Sequence, residues 1–512
     1  MPPSTAPKRP DRPKALGDFQ TPPGLVAQVL DALGPIGGRY DRVLEPTCGR
    51  GHFIAGLLAG ADRPGEIRGF EIQGDHADAA RAASASASGV RVVIETADVF
   101  GVDLGRDIAW STSGPLLVLG NLPWVTVAAL GASGAGPGPE RSNARRTRGI
   151  DAMTGASNFD ISENLWLKLI RELAPRRPTI ALLGKSAVAR AVLRAVESAD
   201  LPITSATIWH VDAPRWFGAS VAACLLRVEV GPGPKVVAVP SYPDLSSDRP
   251  GATLGLLGGD LIADLAAYDR SRFADGPSPL VWRQGVKHDA SDLMELIRGD
   301  DGRLANKRGE VVEIEPGHIY PLLKGTDLAG ALRPRPDLSL IVTQRRLGED
   351  TRGLAATAPR LWAYLTSHAE RFEARKSSIY RGRPPFALFG IGDYSFAPHK
   401  VAISGLHKSP RFRAIGPTEG RPTLLDDTCY FLPCRDADQA EVLASVLNGP
   451  EALDLLRALV FRDAKRPITQ KVLRRLDLRA LLGRAGLGDR WRDEWASDWG
   501  PGPRPFDPPS TL

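Results

Sequence analysis

A chain of 512 residues with 43% hydrophobic content can bury more than one core, so two domains are expected; no run reaches the ~18 apolar residues of a membrane helix. The opening stretch MPPSTAPKRPDRPK lacks the apolar core of a signal peptide, which makes the cytoplasm the expected compartment. A formal charge of +6 points to an anionic partner wherever the charge is local, and four scattered cysteines exclude a disulfide framework; with no companion ligands beside Cys429 and Cys434, no metal site is read.

Residues 1–14 are rich in proline and charge and are expected to be disordered. From 15 to 230 short β-rich runs alternate with helical patterns, the signature of βαβ units and a mainly parallel sheet of α/β class. Seven strands are predicted, at RVLE from 42, IRGFE from 67, VRVVIET from 90, PLLVLGN from 115, TIALLG from 179, SATIWH from 205 and SVAACLLRVEV from 220. Between them Val26, Val29, Leu30 and Leu33 share one helical face, as do Leu165, Leu169, Ile170 and Leu173. The stretch 231–251, dense in Pro, Gly and Ser, reads as a linker. A second domain of α+β type is expected over 252–498, followed by a disordered tail at 499–512.

The chemistry begins at VLEPTCGRGHFIAGLL, residues 43–58. A strand ends at Glu45-Pro46, and Gly49 and Gly51 allow a tight turn into a helix, where the backbone can press against an adenosine-type ligand. The next strand ends in Glu71, a carboxylate placed to accept ribose hydroxyls, and the third leads to Asp98, suited to an adenine amino group. Three acids at successive strand tips fall where open α/β sheets bind ligands.

The fourth strand runs into Asn121-Leu122-Pro123-Trp124. Here the chain resembles the amino-group DNA methyltransferases that use S-adenosylmethionine, whose catalytic tetrapeptide is Asn or Asp, Pro, Pro, then an aromatic. The resemblance implies a Rossmann-like seven-stranded methyltransferase sheet, S-adenosylmethionine as cofactor and double-stranded DNA as substrate. Two acceptors, the Asn121 side-chain oxygen and the residue-122 carbonyl, would draw on the hydrogens of an exocyclic amine and stabilise the charge that develops on it. Trp124 would offer a face for a flipped-out base. Leu122 departs from the family's proline and gives up its fixed φ, while keeping the carbonyl.

Other stretches resemble the family's motifs in order. Asp18-Phe19-Gln20-Thr21-Pro22 matches the one that precedes the sheet and touches the methionine part of the cofactor, with Thr21 as the contact. Asn158-Phe159-Asp160 matches the one that sets an aromatic, here Phe159, against the cofactor adenine. Trp216 and Phe217 match the second aromatic wall of the target-base pocket, although core packing accounts for them equally well. This order is that of the adenine-N6 subgroup with a C-terminal target-recognition domain.

DNA contacts are expected from the glycine-rich loop 131–149, with Arg141, Arg145 and Arg146, and from 371–413, where nine Lys or Arg stand against two acids among interleaved aromatics. Lys376, Tyr380, Arg381 and Arg383 are the candidates there. Together with Trp282–Lys287, Leu323–Asp327 and Lys465–Pro467 that segment resembles the target-recognition halves of larger bacterial modification methylases. With no nuclease cluster legible, cleavage falls to a separate restriction endonuclease or other defence-system subunit. The expected activity is site-specific DNA adenine-N6 methylation; N4-cytosine or RNA methylation by the same tetrapeptide, and a DNA-recognition subunit without catalysis, are the alternatives.

Overall fold

The computed structural model describes residues 19–85, 87–124, 160–333, 335–461, 463–464, 466–496 and 499. Residues 1–14, the tail expected to be disordered at 499–512 apart from residue 499, the loop with Arg141, Arg145 and Arg146, Phe159 and Lys465 lie outside the described residues. Two compact units divide between Ala266 and Ala267.

The first unit is built on β1 (Arg42–Glu45), β2 (Glu66–Glu71), β3 (Arg91–Thr96), β4 (Leu116–Asn121), β5 (Thr179–Lys185), β6 (Ile203–Val211) and β7 (Ala223–Val230), which cover the seven predicted runs. They form one sheet in the order β6-β7-β5-β4-β1-β2-β3, with β7 antiparallel to both neighbours and β1 to β5 parallel. The central strands are covered on both faces, which is why they read as continuous apolar runs rather than alternating ones. β4 shows this directly: Leu116, Leu117, Val118 and Leu119 are all buried.

Helices α1 (Pro23–Leu33), α2 (His52–Ala59), α3 (Gly74–Ser84), α4 (Ile161–Leu173), α5 (Ser186–Ser198) and α6 (Ala213–Phe217) connect and flank these strands. α1 begins with a proline at its first turn, where the missing N–H costs nothing, and stops at Gly34, whose φ of 76° suits only a residue without Cβ. It buries Leu25, Val26, Val29 and Leu33, each worth roughly 2 kcal/mol. α4 buries Leu165, Leu169, Ile170 and Leu173 along the predicted face.

Three more strands correct the expected picture. β8 (Ala238–Tyr242), β9 (Ala252–Leu257) and β10 (Asp260–Ile262) extend the sheet beyond β6 to ten strands. The stretch 231–251 is therefore not a linker throughout: β8 pairs parallel with β6 and antiparallel with β9, and the first unit runs past residue 230 to Ala266. Pro240 is tolerated because pairing with β6 involves only Ser241 and Tyr242, so its missing donor is not asked for on that side.

The second unit carries β11 (Arg283–Gln284), β12 (Glu295–Arg298), β13 (Leu304–Asn306), β14 (Ile319–Leu323), β15 (Leu338–Ile341), β16 (His399–Ser404), β17 (Arg413–Ile415), β18 (Leu424–Leu425) and β19 (Cys429–Cys434), with short helices between them. They make a four-stranded sheet, β11-β19-β16-β17, and a five-stranded one, β13-β12-β15-β14-β18. Several aromatics of 371–413 belong to its core: Phe372, Phe386, Phe389, Phe396 and Phe412 are buried. Cys429 and Cys434 are free, buried thiols. No helix among the described residues is long and apolar enough to cross a membrane.

Candidate active site

The chain leaves the sheet in opposite directions from β1 and β4, so their carboxyl ends open a crevice at the switch point. Glu45, Glu71 and Asn121 all stand on that rim, at the tips of β1, β2 and β4. In the turn after β1 Gly49 and Gly51 have φ of 52° and 81°, and a Cβ at Gly51 would come within 2.9 Å of Ala80 in α3. Only glycine lets this turn seat so closely against the neighbouring helix.

That closeness organises the acids. Gly49 N–H donates to Glu71 Oε2 at 2.9 Å and Gln73 N–H donates to Oε1 at 2.8 Å, so the backbone fixes the carboxylate plane. Glu45 and Pro46 are buried. Burial first, and the neighbouring Glu71 charge second, push the Glu45 carboxyl well above the usual carboxylate range. Its Oε2 is buried without a hydrogen-bond partner. Gly120, at φ 156°, admits Glu45 alongside β4, since a Cβ there would meet Glu45 Cγ at 3.2 Å. Thr21 is buried, with its carbonyl 2.7 Å from His52 Nδ1 on α2. Asp98 is exposed and caps the turn after β3, accepting from Phe100 N–H at 3.0 Å. An orphaned buried carboxylate oxygen beside a glycine turn, with a second carboxylate one strand over, fits a ligand that carries cationic and hydroxyl groups together, as S-adenosylmethionine does.

At the tip of β4 the tetrapeptide is tied down at every residue. Asn121 Nδ2 donates to the Phe19 carbonyl at 2.9 Å, and Thr47 Oγ1 donates to the Asn121 carbonyl at 3.1 Å. Leu122 N–H donates to the Leu183 carbonyl on β5 at 3.2 Å, and its side chain is buried. Proline has no N–H to donate, so the departure from the family pattern replaces a fixed φ by a hydrogen bond to β5 and keeps an apolar side chain in the core. Ser162 Oγ, on α4, donates to the Pro123 carbonyl at 2.5 Å.

Trp124 corrects the expectation of an open stacking face. It is 6% exposed, with Phe19 and Phe217 rings 5.2 and 4.9 Å away, and its Nε1–H donates to Asn121 Oδ1 at 3.0 Å. Phe217 thus joins Trp124, whereas Trp216 packs toward Gly24 of α1, with the Arg215 guanidinium 4.9 Å from its ring centroid. Reading by motif missed Thr47 and Ser162, which act through hydroxyls that any loop could carry. The aromatic contact of Phe19 was equally illegible. Asp160 caps α4 and pairs with Lys185 of β5 at 2.6 Å.

In the second unit Lys376, Arg381 and Arg383 are exposed. Tyr380 is not presented to solvent as a free ring: the Arg375 guanidinium lies 3.6 Å from its centroid and Phe389 meets it edge-on at 5.4 Å.

A doubly wound sheet with its seventh strand inserted antiparallel, a glycine turn after β1 and acids at adjacent tips define the class: an S-adenosylmethionine-dependent methyltransferase. No family model matches the chain. It is 35% identical over 466 residues to the Type II methyltransferase M.NspV of Nostoc sp., a match covering 91% of this chain and 96% of that one. In fold it is similar to the Type IIL restriction-modification enzyme MmeI, solved in complex with DNA, at a TM-score of 0.52 and 12% identity; the match covers 88% of this chain and 63% of that one. The chain belongs to the Type II methyltransferases: it is a DNA methyltransferase of the restriction-modification type, and S-adenosylmethionine is its cofactor.

Proposed function

We propose that the protein methylates the N6 amino group of adenine within a specific double-stranded DNA sequence, as the cytoplasmic modification enzyme of a restriction-modification or phage-defence system whose endonuclease is a separate chain. The observation that carries this is the Asn121 side chain. Its Nδ2 is bound back to the Phe19 carbonyl, which leaves Oδ1 as an acceptor, and that acceptor holds a ring N–H from Trp124 inside an aromatic slot. An amino group of a base is a donor of the same kind.

In this reading Thr21, Glu45, Pro46, Gly49, Gly51, Glu71, Asp98 and Phe159 hold the cofactor, Glu71 through the ribose hydroxyls and Glu45 beside the cationic end. When bound, S-adenosylmethionine supplies a methyl group activated by sulfonium. Asn121 Oδ1 and the Leu122 carbonyl accept the two amino hydrogens, so the nitrogen lone pair is directed at the methyl carbon and the charge it acquires is stabilised. The proton leaves to water after transfer. For the base to stack there, Trp124, now 6% exposed, must turn a face toward the incoming ring, with Phe217 as the opposite wall. Motif order favours adenine; the same pair of acceptors would serve N4 of cytosine.

The arginines at 141, 145 and 146, together with Lys376, Arg381 and Arg383, supply phosphate contacts; Tyr380 supports that surface from within. Asn121→Ala is expected to abolish incorporation of tritiated methyl into DNA while cofactor affinity stays within a few fold. Persistent transfer would overturn the catalytic assignment, and sequencing of modified bases in expressing cells separates adenine from cytosine.

A further inference from the structure

The second unit contains a cleft of about 970 Å³ that gathers residues far apart in the chain. His288, Lys324, Arg375, Lys376 and Asp427 all line it, so the basic stretches around 287, 324 and 376 meet at one place. Its floor is Glu295, whose side chain is 2% exposed. Lys307 and Lys324 donate to it at 2.6 and 2.7 Å, and His288 Nε2 lies 3.4 Å away. Burial alone would raise this carboxyl; His288, Lys307 and Lys324 hold it down at about 2. The Glu295 charge is therefore fully partnered, and with two lysines on one carboxylate the floor is net positive.

Most of the other charges lining the cleft are committed as well. Arg371 pairs with Asp292 at 2.9 Å. Arg375 donates to the Ala387 and His288 carbonyls at 2.9 and 3.3 Å while stacking on Tyr380. Asp426 accepts from Thr428, and Asp289 pairs with Lys287 at 3.0 Å. Lys376 and Asp427 differ from these, since neither side chain makes a hydrogen bond among the described residues. Lys376 is exposed and has no partner among the described residues. Asp427 has its main-chain oxygen clamped by Gln284 Nε2 at 2.8 Å and Arg466 Nη1 at 3.1 Å, yet its carboxylate meets Lys287 and Arg466 only at 3.8 and 3.6 Å, beyond hydrogen-bond length.

A carboxylate on a clamped main chain, ion-paired but without a hydrogen bond, in the same cleft as an unpaired lysine, does not suit phosphate alone, which a carboxylate repels. It suits a base edge lying next to a phosphate: carboxylates accept from exocyclic amino groups in the major groove, and lysines take the backbone. We propose that this cleft reads the recognition sequence, with Asp427 accepting from the amino group of one cytosine or adenine and Lys376 holding the adjoining phosphate. The inference rests on the DNA-modifying function proposed above and assigns one specificity contact within it.

The test uses the full-length protein and duplexes carrying the methylated sequence with each base pair replaced in turn. Asp427→Ala leaves the clamped main-chain oxygen and hence the loop. It is expected to flatten discrimination at a single base pair by roughly 5- to 100-fold while the salt dependence of binding stays unchanged. Lys376→Ala is expected to lower the salt slope by about one unit and to leave the order of preference among duplexes intact. Should Asp427→Ala fold poorly, Asp427→Asn exchanges one acceptor for a donor and is expected to shift the preferred base at that same pair. If both Asp427 variants keep the wild-type order of preference at every position, the cleft assignment is wrong. If the wild-type protein methylates no duplex, the functional reading itself fails, and the two failures are distinct.

Discussion

The indole N–H of Trp124 donates to the side-chain oxygen of Asn121 at 3.0 Å, so one residue of the tetrapeptide occupies the acceptor on which another depends. Phe19 and Phe217 close over the same indole. One of the two lone pairs of that amide oxygen is thus already engaged, and in the proposed reaction an incoming amino group shares or competes for the oxygen with an N–H in place. A neutral hydrogen bond of this kind is worth about 1 kcal/mol net. Trp124→Phe keeps a ring for stacking and removes the donor. Flipping of a 2-aminopurine placed at the target position, followed by fluorescence, is expected to become roughly 5-fold faster. An unchanged flipping rate would mean that the bond is no barrier to entry.

The distribution of legible and illegible features follows from this arrangement. β4 and β5 were readable because a strand buried on both faces is built mostly from apolar residues, as at Leu116–Leu119. β8 was not, since AVPSY lies between Pro- and Gly-rich flanks and contains a proline that the real pairing happens to spare. At the site, residue type and order placed Glu45, Glu71 and Asn121 on one rim. Rotamers and partners are not encoded in spacing, so neither the covered face of Trp124 nor the hydroxyl supports from Thr47 and Ser162 could be read. Leu122 is the clearest instance: as a motif position it counts as a loss, whereas in the fold it gains an N–H bond to Leu183.

Glu45 gives the site a pH signature. Its carboxyl is raised well above 4.5 by burial and by Glu71. The folded protein therefore keeps a proton that the unfolded chain releases, so the stabilising contribution is complete below 4.5 and is lost as pH climbs through the raised folded value. A cationic ligand beside Glu45 favours the carboxylate, so cofactor binding should expel that proton and tighten as pH rises through the same window. Glu45→Gln fixes the neutral form. Calorimetry in two buffers of different ionisation enthalpy is expected to show proton release on cofactor binding by the wild type and none by Glu45→Gln. Equal release by both proteins would place the titrating group elsewhere.

Lys400 makes the opposite prediction in the second unit. It lies in β16 opposite Pro433, is 1% exposed, donates to the Ala397 carbonyl at 2.6 Å and has the Phe431 ring 6.0 Å away. Burial lowers the ammonium from 10.5 to about 7, with Cys434 opposing weakly. Between those values the unfolded chain binds more protons than the folded one, so stability rises with pH from about 7 toward 10.5 and is smallest where the buried amine must carry its charge. Lys400 belongs to the second unit and the proposed methyl-transfer residues to the first, so melts and methylation assays on the variant test separate properties. Lys400→Met keeps most of the volume and removes the charge, at the cost of leaving the Ala397 carbonyl without that donor. The variant is expected to be more stable than wild type at pH 6 by roughly 1 kcal/mol or more, the range seen when buried charges give way to apolar side chains of similar size. The gain should shrink as pH rises and vanish or reverse near pH 10, where the wild-type amine is already neutral and keeps its hydrogen bond. Thermal melts of both proteins across that range check this; parallel curves would show that Lys400 does not change its protonation on folding.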